Sequence, residues 1–147
     1  MLHLLYFAPR FPKYLVLKSL VSELNSNFDN LNAKIGNVFS TDEVKTNDIW
    51  IDGKQIYRKV LNVSSLPNST VLPIYHEISN MKEVVRLYGM AYYSGDAEGG
   101  GVTIPYTDSS NVNNSIEIRA NLTSILIITK SNKSSMRGTI VIEYTKM

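Results

Sequence analysis

Ile49-Trp50-Ile51-Asp52-Gly53-Lys54-Gln55-Ile56-Tyr57 is the stretch on which the reading of this chain turns. Asp52-Gly53 lies between two short apolar runs, the pattern of a two-residue β-hairpin turn, because glycine accepts the positive φ that such turns demand. Beyond it Ile56, Arg58 and Val60 alternate with Tyr57, Lys59 and Leu61, a period of two that marks a strand. The same signature recurs toward the C-terminus. Strands are predicted near Val71–His76, Val84–Tyr93, Val102–Tyr106, Ile116–Ala120, Ile125–Thr129 and Thr139–Thr145, separated mostly by Gly, Asn, Ser or Asp. The last of them places Ile140, Ile142 and Tyr144 on one face. Seven or eight short strands at this spacing predict a β-sandwich or jelly-roll head over residues 40–147.

Working back from the hairpin, the period changes near Ser40. Tyr14, Leu17, Val21, Leu24, Phe28, Leu31 and Ile35 are spaced alternately three and four apart, a heptad seam with Tyr14, Val21, Phe28 and Ile35 at a and the leucines at d. Gly36-Asn37 then offers a helix stop. Between the seam residues stand Ser22, Glu23, Asn25, Ser26, Asn27, Asp29, Asn30 and Asn32, so the apolar stripe is narrow. Serine and asparagine compete for backbone hydrogen bonds and weaken an isolated helix. Partners must therefore supply its stability, and residues 13–39 are expected to form a coiled-coil stem. Phe28 at a and Leu20 at g broaden the seam, and the e and g positions, with Lys13, Lys18 and Lys34, have no acidic complement, so the heptads leave the number of strands open. The first residues, 1–12, are apolar but lack the basic start and cleavage site of a signal peptide and fall short of a membrane span, and they are expected to form an attachment arm.

Composition narrows the classes of function. In 147 residues, 44% are apolar and 19% charged, which suits a folded domain better than a disordered chain. Net charge is +2 without a run of Lys or Arg, so nucleic-acid binding is not expected. The absence of cysteine excludes disulfides and thiolate sites, and His3 and His76 are too few for a histidine-rich metal centre. Asn and Ser form about a fifth of the chain, which accounts for the Asn-X-Ser/Thr triplets at Asn62, Asn68, Asn113, Asn121 and Asn132 without glycosylation.

The chemistry-bearing candidates point away from catalysis. Asp96-Ala97-Glu98-Gly99-Gly100-Gly101 lacks both the ordered oxygen ligands of an EF-hand and the Lys-Ser/Thr of a phosphate loop, and is read as a turn. Asp42/Glu43 and Asp96/Glu98 are neighbours in sequence, which does not make the facing pair that glycoside cleavage requires. His76 has no nucleophile motif around it and is expected to be a hydrogen-bonded structural residue. Trp50 is expected in the core or at a subunit interface. Tyr92, Tyr93 and Tyr106 flank the glycine-rich loop and, with Asp96, form the expected ligand-binding edge, since Tyr presents a flat apolar face and a polar tip to a sugar. No enzyme activity, cofactor or metal is expected.

The run Ser40 to Val60, with its core Glu43-Val44-Lys45-Thr46, Trp50-Ile51-Asp52-Gly53-Lys54 and Ile56-Tyr57-Arg58-Lys59, resembles a segment at the start of distal β domains in tailed-bacteriophage fibre and baseplate proteins. The similarity continues through Leu66-Pro67-Asn68, His76 to Asn80, Val85 to Gly89 and Ile140 to Lys146, and so covers most of residues 40–147. Asn47 stands where that family usually has Gly, and Gln55 where it often has Pro. The resemblance implies a homotrimeric virion appendage on the surface of the phage particle. Its head would meet host-surface carbohydrate or protein, and residues 1–39 would hold other virion structural proteins. It implies no catalytic residues. A head fibre or capsid-decorating spike without a receptor, and a glycan depolymerase, are the competing functions.

Overall fold

The computed structural model describes residues 13–35, 38–93 and 100–147, with side-chain surroundings described for helical residues 16–31. The apolar arm 1–12, the helix stop at Gly36-Asn37 and residue Asp96 lie outside the described residues, as do the side chains of Tyr14 and Ile35. The chain divides into two compact units between Lys34 and Ile35.

The first unit holds one helix, α1, Lys13–Ile35, 23 residues and thus about 35 Å long. Leu17, Val21, Leu24, Phe28 and Leu31 are between 48% and 60% exposed in the single chain. The described part of the apolar seam read from the sequence is therefore about half exposed.

The second unit is built of antiparallel strands: β1 Val44–Ile49, β2 Gln55–Val63, β3 Val71–Tyr75, β4 Met81–Tyr93, β5 Gly101–Ile104, β6 Ile116–Ala120, β7 Ser124–Thr129 and β8 Met136–Lys146. They form a five-stranded sheet, ordered β1-β2-β8-β4-β5, and a three-stranded sheet, ordered β3-β7-β6. The protein is mainly β, as the alternation predicted. Ile140, Ile142 and Tyr144 of β8 are fully buried and join Ala91, Ile116, Ile125 and Ile127 in one core shared by the two sheets.

The hairpin differs from its expected form. Trp50 N–H donates to the Lys54 carbonyl at 2.7 Å and Gly53 N–H donates back to the Trp50 carbonyl at 2.8 Å, leaving Ile51, Asp52 and Gly53 in the loop. A two-residue type I′ turn needs positive φ at both central positions. Only Gly53, at +81°, supplies it here, so the chain takes a three-residue loop with glycine last.

Asn47 and Gln55, the two departures from the pattern that the sequence resembles, fall at one irregularity. The β1–β2 register shifts between Lys45 and Ile49, and Asn47 lies within that shift. Gln55 spans the irregularity: its Nε2 amide donates toward the carbonyls of Thr46 at 2.6 Å, Asp48 at 3.1 Å and Ile56 at 2.9 Å. A proline there would have no side-chain amide to reach these carbonyls.

Sequence motifs far apart in the chain close on each other. Tyr144 donates to Glu43 Oε2 and Lys146 Nζ donates to Glu43 Oε1 at 2.6 Å. Burial, followed by the Glu43 carboxylate, pushes the Tyr144 phenol well above its ordinary value. Trp50 Nε1 donates to Glu83 Oε1 at 2.6 Å, tying the hairpin loop to β4, two strands beyond β2 in the sheet.

The outer face of the large sheet carries a buried charge. Glu143, 1% exposed, accepts from Arg58 Nε and Nη2 at 2.8 Å and lies 3.3 Å from Arg86 Nη1. The Arg58 guanidinium sits 4.4 Å from the centroid of Phe39.

Candidate ligand cleft

Alternation along β4 separates the tyrosines that the sequence grouped together. Tyr92 and Tyr93 are consecutive strand residues and point to opposite faces. Tyr93 joins Tyr106, Asp108, Asn114 and Lys133 around a cleft of about 180 Å³, beside a second of about 260 Å³ lined by Pro105, Val112, Glu117 and Lys130; Tyr106 and Ile116 line both. Tyr92 instead lines a groove with Asn62, Arg137 and Thr139.

The segment after β5 places the cleft's polar groups. Tyr106 exchanges backbone hydrogen bonds with Ile116, each 2.9 Å, which fixes the phenol at the mouth of the β5–β6 connection. Between them Asp108 organises the loop. Its Oδ1 accepts from the Ser110 hydroxyl at 2.6 Å, the Ser110 N–H at 2.9 Å and the Asn111 N–H at 3.0 Å, and its Oδ2 accepts from Asn114 Nδ2 at 3.1 Å. Asn111 caps the 3-10 turn Val112–Asn114 by accepting from Asn113 N–H. Lys133 Nζ reaches Asn114 Oδ1 at 3.4 Å.

These donors, led by the Ser110 hydroxyl and then the Asn114 amide, hold the Asp108 carboxyl down to about 2. The result is a fixed carboxylate whose Oδ2 retains acceptor capacity. Around it stand an ammonium donor and two phenols, one of them the half-exposed Tyr93. The set can hold polyhydroxylated ligand by hydrogen bonding and by contact of an apolar sugar face with a ring. Sequence reasoning did not single out Asp108, Asn114 or Lys133. The Asp108-Ser-Ser-Asn111 turn signal was available, but its approach to Tyr93 follows from sheet pairing alone.

His76, the histidine weighed as a base, has structural partners. His76 is buried; its Nδ1 accepts from Ile78 N–H at 3.2 Å and its Nε2 lies 3.2 Å from the Asn121 carbonyl, an arrangement that fits the Nε2-protonated tautomer. Among the described residues no three His, Asp or Glu side chains converge as a metal site, and no helix is long and apolar enough to cross a membrane. Comparison with family models, with curated proteins and with solved structures gives no match for this chain.

Proposed function

We propose that this chain is a non-enzymatic subunit of a tailed-bacteriophage virion fibre or spike, a homotrimer anchored by its N-terminal region with a β head directed at host-surface glycan or protein. The observation that carries this reading is the bare seam of α1. Leu17, Val21, Leu24, Phe28 and Leu31 are exposed on a helix whose other positions are mostly polar, and such a helix gains its stability from copies packed along the seam. The heptads leave the number of strands open, and the fibre-domain resemblance of residues 40–147 favours three. The virion surface is the corresponding location.

The Tyr93–Tyr106 cleft is the part of the head that would touch host glycan. Nothing in its chemistry requires bond cleavage. Negative-stain microscopy of particles decorated with antibody against this chain tests the reading: label on fibres or spikes is expected. Particles without label, together with undiminished adsorption when the protein is missing, would sink it.

A further inference from the structure

On the outer face of the five-stranded sheet, away from the Tyr93–Tyr106 cleft, lies a groove of about 510 Å³ lined by Asn62, Tyr92, Arg137, Gly138 and Thr139. Register builds it. Asn62 pairs with Thr139 across β2 and β8, and Tyr92 pairs with Arg137 across β4 and β8. Directly paired residues share a face, and Arg137 and Thr139, two apart on one strand, share it as well. Gly138 between them faces the other way, since a Cβ there would meet Leu66 at 3.3 Å and Val63 at 3.8 Å. The groove floor is therefore β8 backbone, with Asn62, Tyr92, Arg137 and Thr139 around it and Val63 and Ser64 completing the lining.

Arg137 is set apart from the other described arginines. Arg58 and Arg86 hold Glu143, and Arg119 holds Glu117. Arg137 is exposed and has no carboxylate partner among the described residues.

We infer that this groove is a second binding site, one for an acidic saccharide unit. The guanidinium offers a planar fork of donors that matches a carboxylate or phosphate in two parallel hydrogen bonds. Half-buried Tyr92 supplies a ring beside it against which a pyranose can lie. The Asn62 amide and Thr139 hydroxyl can each donate to and accept from ring hydroxyls. The volume lies within the range of small-ligand sites and suits one or two sugar rings. The charge is discriminating because the site has one cation and no anion among its lining residues. This inference is independent of the trimeric stem and of the glycan contact at Tyr93.

Amide chemical-shift mapping on the full chain tests it, using methyl β-glucuronide and glucose 1-phosphate as probes. Methyl β-glucoside serves as the neutral control, with acetate and inorganic phosphate as controls for charge alone. At least one acidic sugar should shift Asn62, Tyr92, Arg137 and Thr139 and bind about tenfold tighter than the glucoside. Whichever acidic sugar does so identifies the charged group. Arg137→Gln should abolish the preference with the rest of the spectrum unchanged, and Arg137→Lys should weaken it by removing the fork. A silent groove, equal binding of the glucoside, a preference that survives Arg137→Gln, or simple anions binding as tightly as the sugars would each overturn the inference. Shifts confined to Tyr93 and Tyr106 would overturn it while leaving the proposed glycan contact standing.

Discussion

Replacing Glu143 with Leu should destabilise the head far more than its position on the outer sheet face would suggest. The carboxylate is 1% exposed and bonded at 2.8 Å to Arg58, itself 8% exposed. At charge separations near 4 Å and an effective dielectric constant near 20, their attraction is about 4 kcal/mol. Desolvation of the two ions costs several kcal/mol each, so the intact pair is close to neutral against an apolar pair of the same volume. Removing one partner is different, because it strands the other charge. Glu143→Leu leaves the Arg58 guanidinium with the Phe39 ring as its remaining counterpart, and Arg58→Met leaves Glu143 with the half-exposed Arg86. Each single change should cost about 3–5 kcal/mol, whereas the double change should cost less than about 2 kcal/mol. Urea unfolding followed by fluorescence reports this in the head directly, since Trp50 is the single tryptophan of the chain. Protein concentration must be held equal, because self-association adds to apparent stability. Single variants costing under about 1 kcal/mol, or a double variant equal to their sum, would refute the buried-pair reasoning.

Gly89→Ala would place a Cβ 2.1 Å from the Thr139 carbonyl oxygen, a clash with backbone on the neighbouring strand. A loss of about 3 kcal/mol or more is expected, read as a lowered melting temperature or as insoluble protein. The Asp108 carboxyl, held down to about 2, should show its NMR titration midpoint there. Its folded value is depressed, so its contribution to stability is complete above the unfolded value near 3.9 and is lost as pH falls through about 2. Ser110→Ala, which deletes the largest cause, should move the midpoint up, and an unmoved midpoint would contradict the hydrogen-bonding account. Tyr93→Ala should weaken retention on neutral glycans about tenfold, with Tyr92→Ala close to wild type; equal losses from both would mean that the two faces do not act separately.

The strands were legible because alternation and turn residues agreed along the chain: the run predicted near Ile116–Ala120 matches β6, and the Ile140, Ile142, Tyr144 face is the buried one. The turn type was less so, since the Asp-Gly pair does not reveal that Ile51 and Asp52 keep negative φ. The candidate ligand edge was legible residue by residue but not as a constellation. Proximity in sequence joined Tyr92 to Tyr93, whereas the pleat of β4 sends them to opposite sides. Tyr106 does line one cleft with Tyr93, brought there by the pairing of β4 with β5 and the bridge to Ile116. Arg137 and Asn62 are 75 positions apart in the chain, so only the β2–β8 register brings them to one groove. The buried Arg58–Glu143 pair was invisible for the same reason, being a contact across 85 residues.

In the proposed trimer the exposed seam of α1 holds copies of this chain together. Sedimentation equilibrium of the intact protein and of the Leu24→Asp/Leu31→Asp variant tests it most directly. Roughly 50 kDa is expected for the wild type, three chains of 16.5 kDa, and a single-chain mass for the variant. A single-chain wild type, or a variant that remains a trimer, would contradict it.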